Sequence, residues 1–121
     1  ALNFLSHDCE VWGLNHCNWP NIPNFEEYDV IINLENYDCG WLPDLSQTKK
    51  PIKILWAIDA HCHGLQYYQA LCNTHKYHVV LQATLDFVNS IPGSIWFPNC
   101  YDNFFIKPLN TNKDINIKIF F

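Results

Sequence analysis

The chain has 121 residues, of which 49% are hydrophobic and 16% aromatic, so it can bury one core but not two. Its formal net charge is -5, and its seven basic side chains are all lysines. Nucleic-acid binding is therefore disfavoured, because phosphate contacts draw on clustered Arg and Lys.

Short runs rich in β-branched and aromatic residues recur along the chain, separated by polar stretches that hold Pro, Gly, Asn and Asp. Such runs predict β-strands. The predicted strands are, in chain order, Cys9 to Leu14, Asp29 to Leu34, Ile52 to Ile58, Tyr77 to Leu81, Ser94 to Phe97 and Ile115 to Phe121. Two segments within them, Val30 to Ile32 and Ile54 to Ile58, are apolar on both faces, which is typical of a parallel strand buried on both sides.

Helical spacing separates the third strand from the fourth. Between Gly64 and Lys76, residues 65, 68, 71, 72 and 75 form a stripe at steps of three and four, which predicts a helix facing the sheet. Thr84 is predicted to cap a shorter helix, and residues 1 to 6 to end a helix before the first strand. Strands alternating with helices predict an open α/β sheet, mainly parallel, with flanking helices.

The chain contains six cysteines, an even number that would suit a disulfide framework in a small secreted protein. However, Cys62 and Cys72 lie in the predicted helix and Cys9 begins a predicted strand, whereas disulfide scaffolds are rich in loops. We therefore expect reduced thiols and a cytoplasmic location. No apolar stretch is long enough for a membrane span, and the first residues lack the basic flank of a signal peptide.

Polar residues follow the predicted strands at their carboxyl ends, which is where ligands bind in open α/β sheets. These rim residues are, in chain order, Asn15, His16, Glu35, Asn36, Tyr37, Asp38, Asp59, His61, His63, Gln82, Thr84, Asn99 and Asp102. We expect them to line a ligand cleft.

One segment near the carboxyl end carries a more specific pattern. Residues 98 to 108 read PNCYDNFFIKP. The segment resembles the Pro-Asn-Gly-Val-Asp motif, followed by Phe and Pro, that ends the amino-terminal domain of many GT-B glycosyltransferases. The residues in register are Pro98, Asn99, Asp102, Phe105 and Pro108. Cys100 replaces the usual Gly, which would tolerate a positive φ that Cys adopts only at a cost.

Other segments fit the same resemblance, most closely to the spore-maturation-like group, whose Trp-x-x-Asp is matched by Trp56 to Asp59. It implies that residues 1 to 108 form a Rossmann-like amino-terminal domain, half of a GT-B fold, that lacks its first strand. Residues 109 to 121 would be the linker and first strand of a missing carboxyl-terminal donor domain. Such a fragment would be inactive alone.

The resemblance implies transfer of a sugar from a nucleotide-sugar, bound by the missing domain, to the hydroxyl of a sugar or other acceptor bound by this one. It implies no metal ion or other cofactor. Asp59 and His61 are the candidate catalytic residues, because a carboxylate or an imidazole can accept the hydroxyl proton. The candidate substrate-binding residues are Glu35, Asn36, His63, Thr84, Asn99 and Asp102. Asp59 is equally suited to capping a helix that begins near His61.

Two other functions are compatible with the sequence. Asp59-x-His61-x-His63 matches the metal-binding motif of amidohydrolases, in which two histidines on an extended segment share one Zn²⁺. Those enzymes are barrels of about 250 residues with further ligands, so the length disfavours this alternative. The third function is a Rossmann-like binding module without catalysis, because a fold does not fix a function.

Overall fold

The computed structural model describes residues 7–13, 21–35, 43–58 and 60–98, apart from the side chains of Ala60 and His61. Its strands are β1 (Val30–Leu34), β2 (Ile52–Ala57), β3 (Val79–Gln82) and β4 (Ser94–Trp96). Its α-helices are α1 (Ala60–His63) and α2 (Leu65–His75), and two 3-10 turns cover Phe25–Glu27 and Leu85–Phe87.

The four strands form one sheet in the order β1-β2-β3-β4, and all three neighbouring pairs are parallel. In the shared register, Ile54 lies between Ile32 and Val79, and Gln82 pairs with Trp96. Since the strands alternate with helices and turns, the protein has an open, Rossmann-like α/β fold, as predicted.

The core lies between the sheet and α2. Leu55, Ala57 and Val80 are buried there with Tyr68 of α2, and Ile91 completes the cluster. The opposite face of the same strands is open, because Val30, Ile32, Leu34 and Ile52 are 43 to 55% exposed. The expectation that Val30 to Ile32 are buried on both faces is therefore wrong, whereas Ile54 and Trp56 on the same face are partly buried.

Helix α2 has the predicted stripe. Tyr68 is fully buried, and Leu65, Tyr67, Leu71 and Cys72 pack around the core. The helix ends at Lys76, whose φ of 56° is left-handed and whose N–H donates to the Cys72 carbonyl. Tyr67 and Tyr68 are neighbours, so only one of them lies fully under the helix.

In the three connections between strands, the described residues that pack on the sheet do so on its α2 side. Before β2, Leu45 is fully buried and its N–H donates to Nδ1 of His75 at 3.1 Å, and before β4, Phe87 packs against the core. Crossovers between parallel strands are almost always right-handed, so strands added in one direction place every connection on one face. The sequential strand order is thus the physical reason why the other face stays open.

The turn after β3 agrees only in part with the prediction that Thr84 caps a short helix. Thr84 does precede a short helical element, Leu85–Phe87, but the element is a 3-10 turn and the Thr84 side chain accepts no capping hydrogen bond.

The predicted first strand, Cys9 to Leu14, is not formed over its described residues, 9 to 13. This segment is held by side chains, since Trp12 Nε1 donates to the Asn21 carbonyl at 2.6 Å and Tyr28 donates to Glu10 at 2.5 Å. The apolar pattern predicts which residues contact the domain, but a β-strand also requires backbone hydrogen bonds to a neighbouring strand.

Several predictions concern residues outside the described ones: the amino-terminal helix tail, the final strand, the motif at 99–108 and the separate segment 109–121. Among the described cysteines, Cys9, Cys62 and Cys72 are free thiols. Within the same residues, no helix has the length and apolar character needed to cross a membrane.

Candidate functional site

Glu35 directly follows β1 at the carboxyl edge of the sheet. Its N–H donates to the Trp56 carbonyl at 2.9 Å, which keeps it in register with β2. Its side chain lies on the α2 side and is only 2% exposed. Tyr68, in the first turns of α2, donates its hydroxyl to the carboxylate. The amino-terminal end of a helix also favours a negative charge, so this position suits a buried carboxylate.

His63, the last residue of α1, faces the same carboxylate. Its Nε2 lies 3.6 Å from Oε1 of Glu35, an ion-pair distance longer than a hydrogen bond, and its side chain is 19% exposed. The imidazole stacks on Tyr67, with ring centroids 4.6 Å apart and planes 28° apart. Gly64, at a φ of 77°, turns the chain between the end of α1 and the start of α2, next to His63.

Glu35 and His63 together form a buried carboxylate beside a partly exposed imidazole. At 3.6 Å the two side chains are within ion-pair range of each other without a hydrogen bond between them. An imidazole in its neutral form can accept a proton from a hydroxyl group that approaches from solvent. The pair therefore provides the components of a general base.

Gln82 ends β3 at the same level of the sheet, separated from the Glu35 position by Ala57 of β2. The residue is fully buried, and neither Nε2 nor Oε1 has a hydrogen-bond partner among the described residues. An unpaired buried amide is costly, and such groups recur at functional sites. The sequence places Gln82 at the end of a strand, but burial alone reveals it as unusual.

The structure brings two of the eight predicted site residues together, Glu35 and His63. Thr84 lies half-buried at the same edge, beyond β3, and no contact joins it to that pair. The remaining predicted residues, whose side chains lie outside the described part, are Asn36, Asp59, His61, Asn99 and Asp102. Helix α1 does begin at Ala60, directly after Asp59, where a capping residue would stand.

The backbone of His61 and His63 lies in helix α1, whereas the metal-site alternative assumes an extended segment. Within the described residues, no group of three or more His, Cys, Asp or Glu side chains could hold a metal ion.

A shallow depression of about 350 Å³ lies away from this edge, between α2 and the turn before β4. Cys72 lines it, but burial raises the pKa of this thiol to about 11. The thiolate needed for nucleophilic chemistry is therefore scarce at neutral pH, and the Glu35–His63 edge remains the candidate site.

The fold and the site define this chain as an open α/β protein with a carboxylate–imidazole pair at the carboxyl edge of a parallel sheet. Comparisons with models of protein families, with curated proteins and with solved structures found no significant match.

Proposed function

We propose that this chain is the acceptor-side part of a glycosyltransferase that moves a sugar from a nucleotide-sugar to an acceptor hydroxyl. The observation that carries the proposal is the Glu35–His63 pair, which lies where ligands bind in parallel α/β sheets. The Pro98 to Pro108 pattern supplies the resemblance to this class of enzyme.

In the proposed reaction, the acceptor hydroxyl lies against His63. The acceptor oxygen bonds to the anomeric carbon of the donor sugar, and the hydroxyl proton passes to the imidazole. The bond between the anomeric carbon and the nucleoside diphosphate breaks, and the diphosphate leaves with its electrons. Glu35 stabilises the imidazolium that forms. Asp59 and His61 remain candidates for the same edge because of their positions in the sequence.

The proposal is tested by assaying the complete gene product for nucleotide release from a set of UDP- and GDP-sugars, with and without simple glycoside acceptors. Glu35→Gln and His63→Gln should each lower turnover about 10² to 10⁴-fold, the usual contribution of a general base. Asp29→Asn is the matched control, since Asp29 is an exposed carboxylate at the other end of β1 and should leave turnover unchanged.

Wild-type turnover in both variants would remove the pair from the mechanism. Acceptor binding without any transfer would instead favour the non-catalytic binding module.

A further inference from the structure

The open face of the sheet is apolar along all four strands. Its side chains alternate with those that contact α2, and none of them is polar apart from the indole N–H of Trp56. They are Val30, Ile32, Leu34, Ile52, Ile54, Trp56, Val79, Leu81, Ile95 and the adjoining Phe97. Six are 37 to 55% exposed, namely Val30, Ile32, Leu34, Ile52, Ile95 and Phe97.

Such a face needs a covering layer. Parallel sheets are normally buried on both sides, and apolar area costs about 25 cal/mol for each Å² left in water. Leu45, α2 and Phe87, which represent the three connections in the described part of the chain, pack on the other side of the sheet. Contiguous apolar patches of this kind mark interaction surfaces.

We propose that the open face packs against the same face of a second copy of this chain. Since the face carries no charged side chain, two copies can approach with no like-charge repulsion across it, although each chain has a formal net charge of -5. The same lack of charge leaves nothing there to bind a nucleic acid or a lipid headgroup. Apolar contact is what the face offers, and an identical face supplies it.

The sizes of the side chains fit one arrangement of the two copies. The row at the carboxyl end is large, with Leu34, Trp56 and Leu81 in register. Toward the amino end, Val30 pairs with Ile52, and both are smaller. A two-fold axis in the plane of the sheet and across the strands makes the facing strands antiparallel, so each large row packs on a small one. Leu34 then lies over Val30 of the second copy.

The size of the face predicts a weak dimer. Four strands about 4.8 Å apart and at most six residues long present a face of roughly 20 Å by 20 Å. This flat area of about 400 Å² is roughly half of the 800 Å² per partner that a standard specific interface buries, as in weak, transient contacts. Dimers should therefore form and dissociate with concentration, in the micromolar range.

Light scattering after size-exclusion chromatography tests the proposal. The wild-type chain should change from the mass of one chain to that of two as its concentration rises from about 1 to 500 µM. Ile32→Lys should shift the midpoint at least tenfold higher, because it buries a charge in the interface. Ile22→Lys is the matched control, since Ile22 is 69% exposed outside the sheet, and should leave the midpoint unchanged. Circular dichroism establishes that each variant is folded.

A complementary pair tests the antiparallel arrangement. Leu34→Glu and Val30→Lys should each weaken self-association, whereas their mixture should restore dimers, because the two new charges of opposite sign face each other. Recovery with Leu34→Glu and Leu34→Lys instead would contradict the assigned axis.

A wild-type chain that stays monomeric up to 500 µM would overturn the proposal, and protection of the face amides from hydrogen exchange would then identify another segment of the chain as the cover. A dimer unaffected by Ile32→Lys would overturn it as well. Neither result depends on transferase activity, so this inference and the proposed function can fail separately.

Discussion

Lys53 is a buried lysine in the middle of an apolar strand. Only 3% of the residue is exposed, and its ammonium group donates to the carbonyls of Leu45, Thr48 and His75 at 3.1, 3.0 and 2.5 Å. Burial lowers its pKa, since the charged form is less well solvated there. The sequence shows a lysine within β2, but only the fold reveals that it joins the connection before β2 to the end of α2.

Replacing Lys53 by Met should lower the free energy of unfolding by about 3 kcal/mol, because buried carbonyls lose the donor that satisfies them. Urea denaturation at neutral pH measures this change. Lys49→Met is the control, since Lys49 is exposed, and should change the value by less than about 0.5 kcal/mol. Equal values for the two variants would show that the three carbonyl bonds contribute nothing.

The position of Glu35 could be predicted from the sequence, but its contacts could not. Its position after a predicted strand identifies it as a rim residue. Its partners could not be predicted, because Tyr68 lies 33 residues further along the chain and the contact depends on how α2 lies across the sheet. The unpaired amide of Gln82 is hidden from the sequence for the same reason.

The elements of the domain were predicted most reliably where a pattern is both long and packed. Helix α2 and the four strands lie close to their predicted positions, and the helical stripe and the runs of β2 and β3 contact the core. The run beginning at Cys9 failed as a strand, because pairing depends on a neighbouring backbone that the run itself does not specify.

The end of α2 predicts a pH dependence. Nδ1 of His75 accepts the Leu45 N–H, which requires an unprotonated nitrogen, so we assign a neutral ring despite Asp44 at 3.7 Å. Burial is the main cause that lowers the pKa of His75, and Asp44 opposes it. The unfolded chain thus binds this proton at a higher pH than the folded chain does.

The contribution of the neutral His75 ring to the free energy of unfolding should be full above a pH of about 6.5, and it should decrease as the pH falls below that value. His75→Gln, whose side-chain oxygen can accept the same N–H, should make the free energy of unfolding less dependent on pH between about 5 and 6.5. Denaturation at several pH values measures the slope, and NMR titration of the His75 ring should give a midpoint below about 6.5. A midpoint above that value would contradict the assignment.

For the whole molecule, the one-sided core predicts unequal effects of substitutions within β2. Leu55 is fully buried under α2, whereas Ile52 is 51% exposed on the open face. Leu55→Ala should lower the free energy of unfolding by about 3 kcal/mol through lost contacts and a cavity. Ile52→Ala should lower it by less than about 1 kcal/mol.

Both variants are to be denatured at low micromolar concentration, where the proposed dimer is dissociated. A loss in Ile52→Ala as large as that in Leu55→Ala would show that the open face is covered within a single chain.

The sequence by itself determined the α/β class, the positions of α2 and the parallel strands, and the polar character of the carboxyl edge, because these follow from local periodicity and composition. The tertiary structure decided which face of the sheet is covered, that Glu35 meets His63 and Tyr68, and that Lys53 and Gln82 are buried. These features depend on strand order and on contacts between residues distant in the chain, and no local pattern encodes them.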